Sequence, residues 1–87
     1  MPRPKRCRRI CSEPLNSMFY PSVGNDLEGI SLTLDEYEVI RLVDLEGYDH
    51  LKCAKQMDIS RSTVQEIYES ARGKIASCIV YGRKLYI

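Results

Sequence analysis

Asp49–Glu69, DHLKCAKQMDISRSTVQEIYE, spells a short helix, a three-residue turn and a capped second helix. Asp49 is placed to cap a first helix from about His50 to Met57, and Ser60 to cap a second beginning at Arg61. A short side-chain oxygen just before a helix satisfies backbone N–H groups that have no partner within it. Leu51, Ala54, Met57, Ile59, Val64 and Ile67 fall where two steeply crossing helices would face each other, and Ala54 is the small residue that close helix contact requires. Asp58 holds the turn position that glycine usually takes, and Asp visits the left-handed region at modest cost. A helix-turn-helix of this kind is how a helix is presented to the DNA major groove.

The 87 residues suit one small domain, near the size where packing alone leaves modest stability, so support from a homodimer or another partner is expected. No apolar run approaches the roughly 20 residues of a membrane span, and the basic N-terminus lacks the apolar segment of a signal peptide. A cytoplasmic location is expected. Of the four cysteines, Cys53 and Cys78 lie on predicted apolar helix faces, where reduced thiols are the default.

A formal net charge of +1 hides an asymmetry. Residues 1–9 carry Arg3, Lys5, Arg6, Arg8 and Arg9 and no acid, giving +5. Residues 13–51 hold nine acids against Arg41 alone, giving −8, and residues 52–87 hold seven bases against Asp58, Glu66 and Glu69, giving +4. The basic parts are thus the arm and the helix-turn-helix half, an arrangement that would turn positive surface toward phosphate.

The expected fold is mainly α, a small helix-turn-helix domain over residues 15–87 preceded by a basic, flexible arm over residues 1–14. Pro2, Pro4 and Pro14 forbid a regular helix in the arm. Met18, Phe19 and Tyr20 suggest a short strand, followed by a loop to residue 32. Thr33–Glu36, TLDE, is a capping box, and the helix after it should bury Leu34, Tyr37, Ile40, Val43 and Leu42 and end at Gly47. The last helix should run from Arg61 to about Val80, with Val64, Ile67, Tyr68, Ala71, Ile75, Cys78 and Ile79 on one stripe and Gly73 as a point of slight bending. Arg83–Ile87 alternates as a strand that would pair with Met18–Tyr20 or with its copy in a dimer.

The stretches RPKRCRRIC, LTLDEYEVIRLVDLEG and MDISRSTVQEIYESARGKIA, with the closing YGRKLYI, cover nearly the whole chain. Together they resemble uncharacterised protein family 0251 (domain of unknown function 134), small prokaryotic proteins thought to bind DNA. Leu34–Ile75 also resembles, more loosely, the C-terminal helix-turn-helix of bacterial sigma factors. The resemblance implies DNA binding as a class. Asp58 departs from the family's usual turn glycine, and Gln65-Glu66 from its frequent Gly-Arg pair, so a shared target sequence is not implied.

In such motifs the first turns of the second helix meet base edges. Arg61 suits guanine O6 and N7, Gln65 suits adenine N6 and N7, and Glu66 suits cytosine N4, with Ser62 beside them on the outward face. Ser60 and Thr63 fit cap and phosphate contact, while Lys52, Lys55, Arg72 and Lys74 supply charge to phosphates. The competing reading leaves Glu66 and Glu69 merely balancing Arg61, Arg72 and Lys74 on a solvated face. The lone His50 opens the first helix of the motif, near backbone phosphate.

Arm arginines suit the minor groove or loose phosphate contact. Cys7 and Cys11, spaced C-x3-C, would furnish two legs of a metal site or a reactive thiol pair. Two thiolates alone are too few to close a site, so no cofactor is expected. Nucleophile elbow, phosphate-binding glycine loop and histidine-based metal motif are all absent from the sequence, so a non-enzyme is expected. The leading expectation is a sequence-specific DNA-binding transcription regulator. The alternatives are a protein-interaction module docking on RNA polymerase and a thiol- or metal-responsive sensor.

Overall fold

A computed structural model describes residue 10 and residues 13–87. Its elements in chain order are β1 (Met18–Phe19), β2 (Ile30–Ser31), α1 (Leu34–Ile40), a wide π-helical turn (Arg41–Leu45), α2 (His50–Met57), α3 (Arg61–Tyr81) and β3 (Leu85–Tyr86). α3 spans 21 residues, about 31 Å at the usual rise, and packs against both α1 and α2. Among the described residues no helix is long and apolar enough to cross a membrane.

The predicted caps form. The Thr33 hydroxyl accepts from the Glu36 N–H at 3.1 Å, and the Thr33 N–H donates to Glu36 Oε1 at 2.8 Å. Asp49 accepts from the Lys52 N–H at 2.7 Å, and Ser60 Oγ accepts from the Thr63 N–H at 3.1 Å. Asp58 takes φ 61°, the left-handed conformation expected of it. The α1 helix widens in its last turn, where the Glu46 N–H reaches back five residues to Arg41 O at 2.9 Å. Gly47, at φ 81°, then ends it, since this backbone strains any side chain with a Cβ.

Val39, Leu42, Cys53, Ala54, Met57 and Val64 form the core, with Val43, Tyr48, Ile59, Ile67 and Tyr68 packed against it. Burying a Val, Leu or Met side chain stabilises by about 1.5–3 kcal/mol, so this cluster supplies most of the drive for α1 and α2 to meet α3. Periodicity missed part of the pattern. Leu34, Leu51 and Ile79, expected inside, are 47%, 53% and 76% exposed, whereas Val39 and the carboxylates Glu36 and Glu38 are buried. α3 packs on α1 and α2 along its first half and on the small sheet beyond, and among the described residues no further layer covers the outer apolar residues of the helices. Leu15, read as the start of the folded part, is likewise exposed.

The sheet has order β1-β3-β2. β1 pairs antiparallel with β3, Met18 opposite Tyr86 and Phe19 opposite Leu85, which is the intrachain partnership expected for the tail. β2 corrects the expected loop, pairing parallel with β3, Ile30 beside Leu85 and Ser31 beside Tyr86. Two residues without alternation carry no strand signal. Their extended form comes from the Ile30 N–H to Lys84 O and Leu32 N–H to Tyr86 O bonds, 2.8 and 2.6 Å. A Cβ on Gly29 would collide with the Tyr86 ring, so glycine permits this close approach.

Each buried carboxylate has partners. Arg41 holds Glu38 through two parallel bonds, Nε to Oε1 at 2.8 Å and Nη2 to Oε2 at 2.9 Å. Glu36 receives the Thr33 N–H and Lys74 Nζ on Oε1, the latter at 2.8 Å, and the Ser70 hydroxyl on Oε2. Burial by itself raises the Glu36 carboxyl, but the bonds from Lys74, Ser70 and Thr33 and the Lys74 charge outweigh it and hold the group below its ordinary value. The stabilisation is therefore complete above the unfolded carboxylate range and is lost as pH falls through the depressed folded value. Glu36→Gln should lower unfolding free energy by about 1–3 kcal/mol at neutral pH. In urea titrations, the gap between wild type and variant should close as the solution is acidified. A gap independent of pH would show that the ionised carboxylate is not what the fold uses.

Candidate nucleic-acid interface

A tight turn through Asp58 and Ile59 joins α2 to α3, the Ile59 N–H closing on Ala54 O at 3.0 Å, and His50 at the start of α2 comes beside the first turns of α3. His50 from α2 and Arg61, Ser62 and Gln65 from α3 line one shallow open depression of about 440 Å³. Arg61, Ser62, Gln65 and Glu66 are exposed, as expected for outward residues, while Thr63 is half-buried. The Thr63 hydroxyl lies 2.7 Å from Ser60 Oγ, and Ser62 Oγ lies 3.1 Å from the same atom. Three hydroxyls thus cluster at the start of α3, where unpartnered N–H groups make the helix end electropositive.

Gln65 donates through Nε2 to Glu69 Oε2 at 2.6 Å. This bond orients the amide and leaves Oε1 and the second N–H of Nε2 for an outside partner. Glu69, read from sequence as an outward residue of this helix or as charge balance, therefore has a positioning contact on the exposed face. The His50 ring meets Tyr68 edge-on, with centroids 5.0 Å apart. Tyr68 in turn donates its hydroxyl to Asp44 Oδ1 at 2.8 Å. That bond, then burial, and then the Asp44 charge push the Tyr68 phenol up, against a lowering by Arg72, so it remains a hydrogen-bond donor. Sequence reading placed Tyr68 in the core stripe and missed this chain. The Asp44 partner lies 24 residues away and leaves no local signal.

The expected phosphate contacts divide into two groups. Lys55 is exposed, and Lys52 is exposed with Nζ 4.2 Å above the Tyr48 ring. Arg72, 62% exposed at its side chain, sits 3.7 Å from Asp44 and over Tyr68. Lys74 is engaged inside the fold, donating to Ser31 O at 2.9 Å as well as to Glu36, so it ties α3 to β2 and α1. Arg3, Lys5, Arg6, Arg8 and Arg9, with Cys7 and Cys11, lie outside the described residues. Cys53 and Cys78 are free thiols. Burial first, with Glu38 adding, pushes the Cys53 thiol up; burial does the same to Cys78, partly offset by Arg83. Among the described residues no group of three His, Cys, Asp or Glu is arranged to hold a metal ion.

The chain is 46% identical over 89 residues to a UPF0251 protein of Desulfitobacterium hafniense, covering all of this chain and 71% of that one. It is 44% identical to a UPF0251 protein of Aeromonas salmonicida, with 98% and 85% of the two chains covered. A UPF0251 protein of Methanothermobacter thermautotrophicus, also 44% identical, is spanned over only 46% of its length, so relatives differ in what they carry beyond this region. No solved structure matches. The family profile described as protein of unknown function DUF134 matches residues 1–87, and the chain belongs to that family.

Proposed function

We propose that the chain is a sequence-specific DNA-binding protein, a cytoplasmic transcription regulator without catalytic activity, which lays the first turns of α3 in the major groove. The observation that carries this reading is the exposed set Arg61, Ser62, Gln65 and Glu66 at the capped start of α3, joined by a tight turn to α2. In this pose Arg61 and Gln65 meet base edges, Glu66 discriminates through cytosine N4, and Ser62, Thr63, Lys52, Lys55 and Arg72 meet phosphate. The looser likeness to the sigma-factor helix-turn-helix supports the same pose. His50, on the rim beside Arg61, joins the contact set. A homodimer would place two such helices about 34 Å apart on successive grooves.

Docking on RNA polymerase through the acidic helix is less favoured. Glu36 and Glu38 are buried and paired, and Asp44 is engaged with Tyr68 and Arg72, which leaves few acids on that helix for a partner. A thiol sensor would rest on Cys7 and Cys11.

If about six cations meet phosphates, log affinity for duplex DNA should fall with log salt at a slope near −5. Absence of duplex binding at low salt would remove the reading and favour the protein-interaction alternative. Arg61→Ala or Gln65→Ala should relax base preference at one or two positions, costing about 1–3 kcal/mol of discrimination, whereas Lys55→Ala should weaken all sequences alike. Selection from random duplexes checks this, and unchanged preference in both former variants would show the reading surface to be elsewhere. Deleting residues 1–10 removes five positive charges and should sharply lower non-specific affinity while helical circular dichroism persists. Cys7→Ser with Cys11→Ser should leave affinity intact under reducing conditions. Stoichiometric metal lost together with DNA binding in that variant would instead make the cysteines the centre of a sensor.

A further inference from the structure

At the far end of α3 from the capped start, a groove of about 500 Å³ opens between the helix and the sheet. Phe19, Tyr20 and Pro21 form one wall and Ile75, Cys78 and Ile79 of α3 the other, with Leu85 between. The apolar surface is held open by specific bonds. Asn25 Nδ2 donates to Gly82 O at 2.9 Å, and its Oδ1 accepts from the Leu27 N–H at 2.9 Å. Arg83 Nη1 donates to Glu28 O at 3.1 Å. The loop carrying Pro21 and Ser22 is thereby pinned against the end of α3.

Of the lining residues only Arg83 is charged, and Tyr20, Ser22 and Cys78 add a phenol, a hydroxyl and a thiol. The Cys78 thiol is turned to Lys84 O, 3.7 Å away. Arg83 lies 5.7 Å from the Tyr81 ring centroid, and its Nε is shielded from solvent with no hydrogen-bond partner among the described residues. Guanidinium favours flat, two-oxygen anions, and an apolar cleft of 300–1,000 Å³ with one convergent polar group is the usual form of a small-molecule site. We propose that this groove binds a small amphipathic carboxylate, its apolar body between Phe19 and Ile79 and its carboxylate on Arg83. The positive sign of the one charged lining residue selects an anion over a neutral or cationic ligand. The inference is independent of DNA binding, since the groove shares no residue with the depression at His50 and Arg61.

The test is an amide NMR titration of the full chain with naphthoate and, separately, with its uncharged counterpart naphthamide. Naphthoate should produce saturable shifts at Phe19, Cys78, Ile79 and Gly82 and leave Arg61–Gln65 unmoved. Naphthamide should bind roughly tenfold more weakly or worse, the usual worth of a charged hydrogen bond. Arg83→Gln should abolish the difference between the two. Because Arg83 also pins the loop, Ile79→Glu serves as a second variant at a site 76% exposed, where the fold tolerates a carboxylate. It should weaken naphthoate more than naphthamide. Equal affinities in wild type, or no saturable shift, would overturn the proposal. So would a dimer in sedimentation velocity that Ile79→Glu dissociates, because the groove would then belong to a second copy.

Discussion

The Glu36 carboxylate is the constraint on which the arrangement of this small fold rests. Its two oxygens collect the N–H that starts α1, the Ser70 hydroxyl and the Lys74 ammonium from the middle of α3, while Lys74 reaches on to the carbonyl of Ser31 in β2. One side chain thus fixes the rotation of α3 about its axis, its distance from α1 and the placement of a sheet strand. An apolar contact in the same place would tolerate sliding, because dispersion and burial are not directional. Charge-assisted hydrogen bonds are directional, and leaving one unmade in a site 5% exposed is costly. Eight buried apolar residues among those described leave a modest core, and the clamp supplies the geometry that core cannot.

With α3 held at its middle, the turn before it sets the other end. Asp58 at φ 61° and the Ser60 cap fix the angle between α2 and α3, and Ala54 lets them approach. The wide turn at Arg41–Leu45 has a matching role on the other side. It carries Asp44, which reaches Tyr68 and Arg72, and Tyr68 supports His50. The surface proposed to meet DNA is therefore braced by the wide turn after α1, through the Asp44 carboxylate.

How much of this was legible follows from the range of each interaction. The Thr33, Asp49 and Ser60 caps, the left-handed Asp58 and the Gly47 stop are decided within a few residues, so sequence exposes them. The TLDE box was visible for the same reason, but the larger role of Glu36 was not, because Ser70 and Lys74 stand 34 and 38 residues away. β2 is a strand only because β3 lies beside it. Leu34, Leu51 and Ile79 carried the right hydrophobicity at the right period and are still exposed, since periodicity identifies a face without saying what lies opposite. The candidate reading residues were legible as what remains once the apolar stripe of α3 is removed. The Gln65–Glu69 bond and the His50–Tyr68 contact needed rotamers.

The length of α3 acquires a reason from this division. Contact with α1 and α2 accounts for its first half, through Val64, Ile67 and Ala71, and the clamp sits at Ser70 and Lys74. Beyond Lys74 the helix lines a groove with Phe19, Pro21 and Leu85, and its exposed Ile79, Val80 and Tyr81 contribute little to the core. The last turns of α3, the sheet and the Asn25 and Arg83 bonds together build one apolar groove lined by a single charged residue. The two ends of α3 therefore line separate depressions, one at His50 and Arg61 and the other at Phe19 and Ile79, with the Glu36 clamp on Ser70 and Lys74 between them.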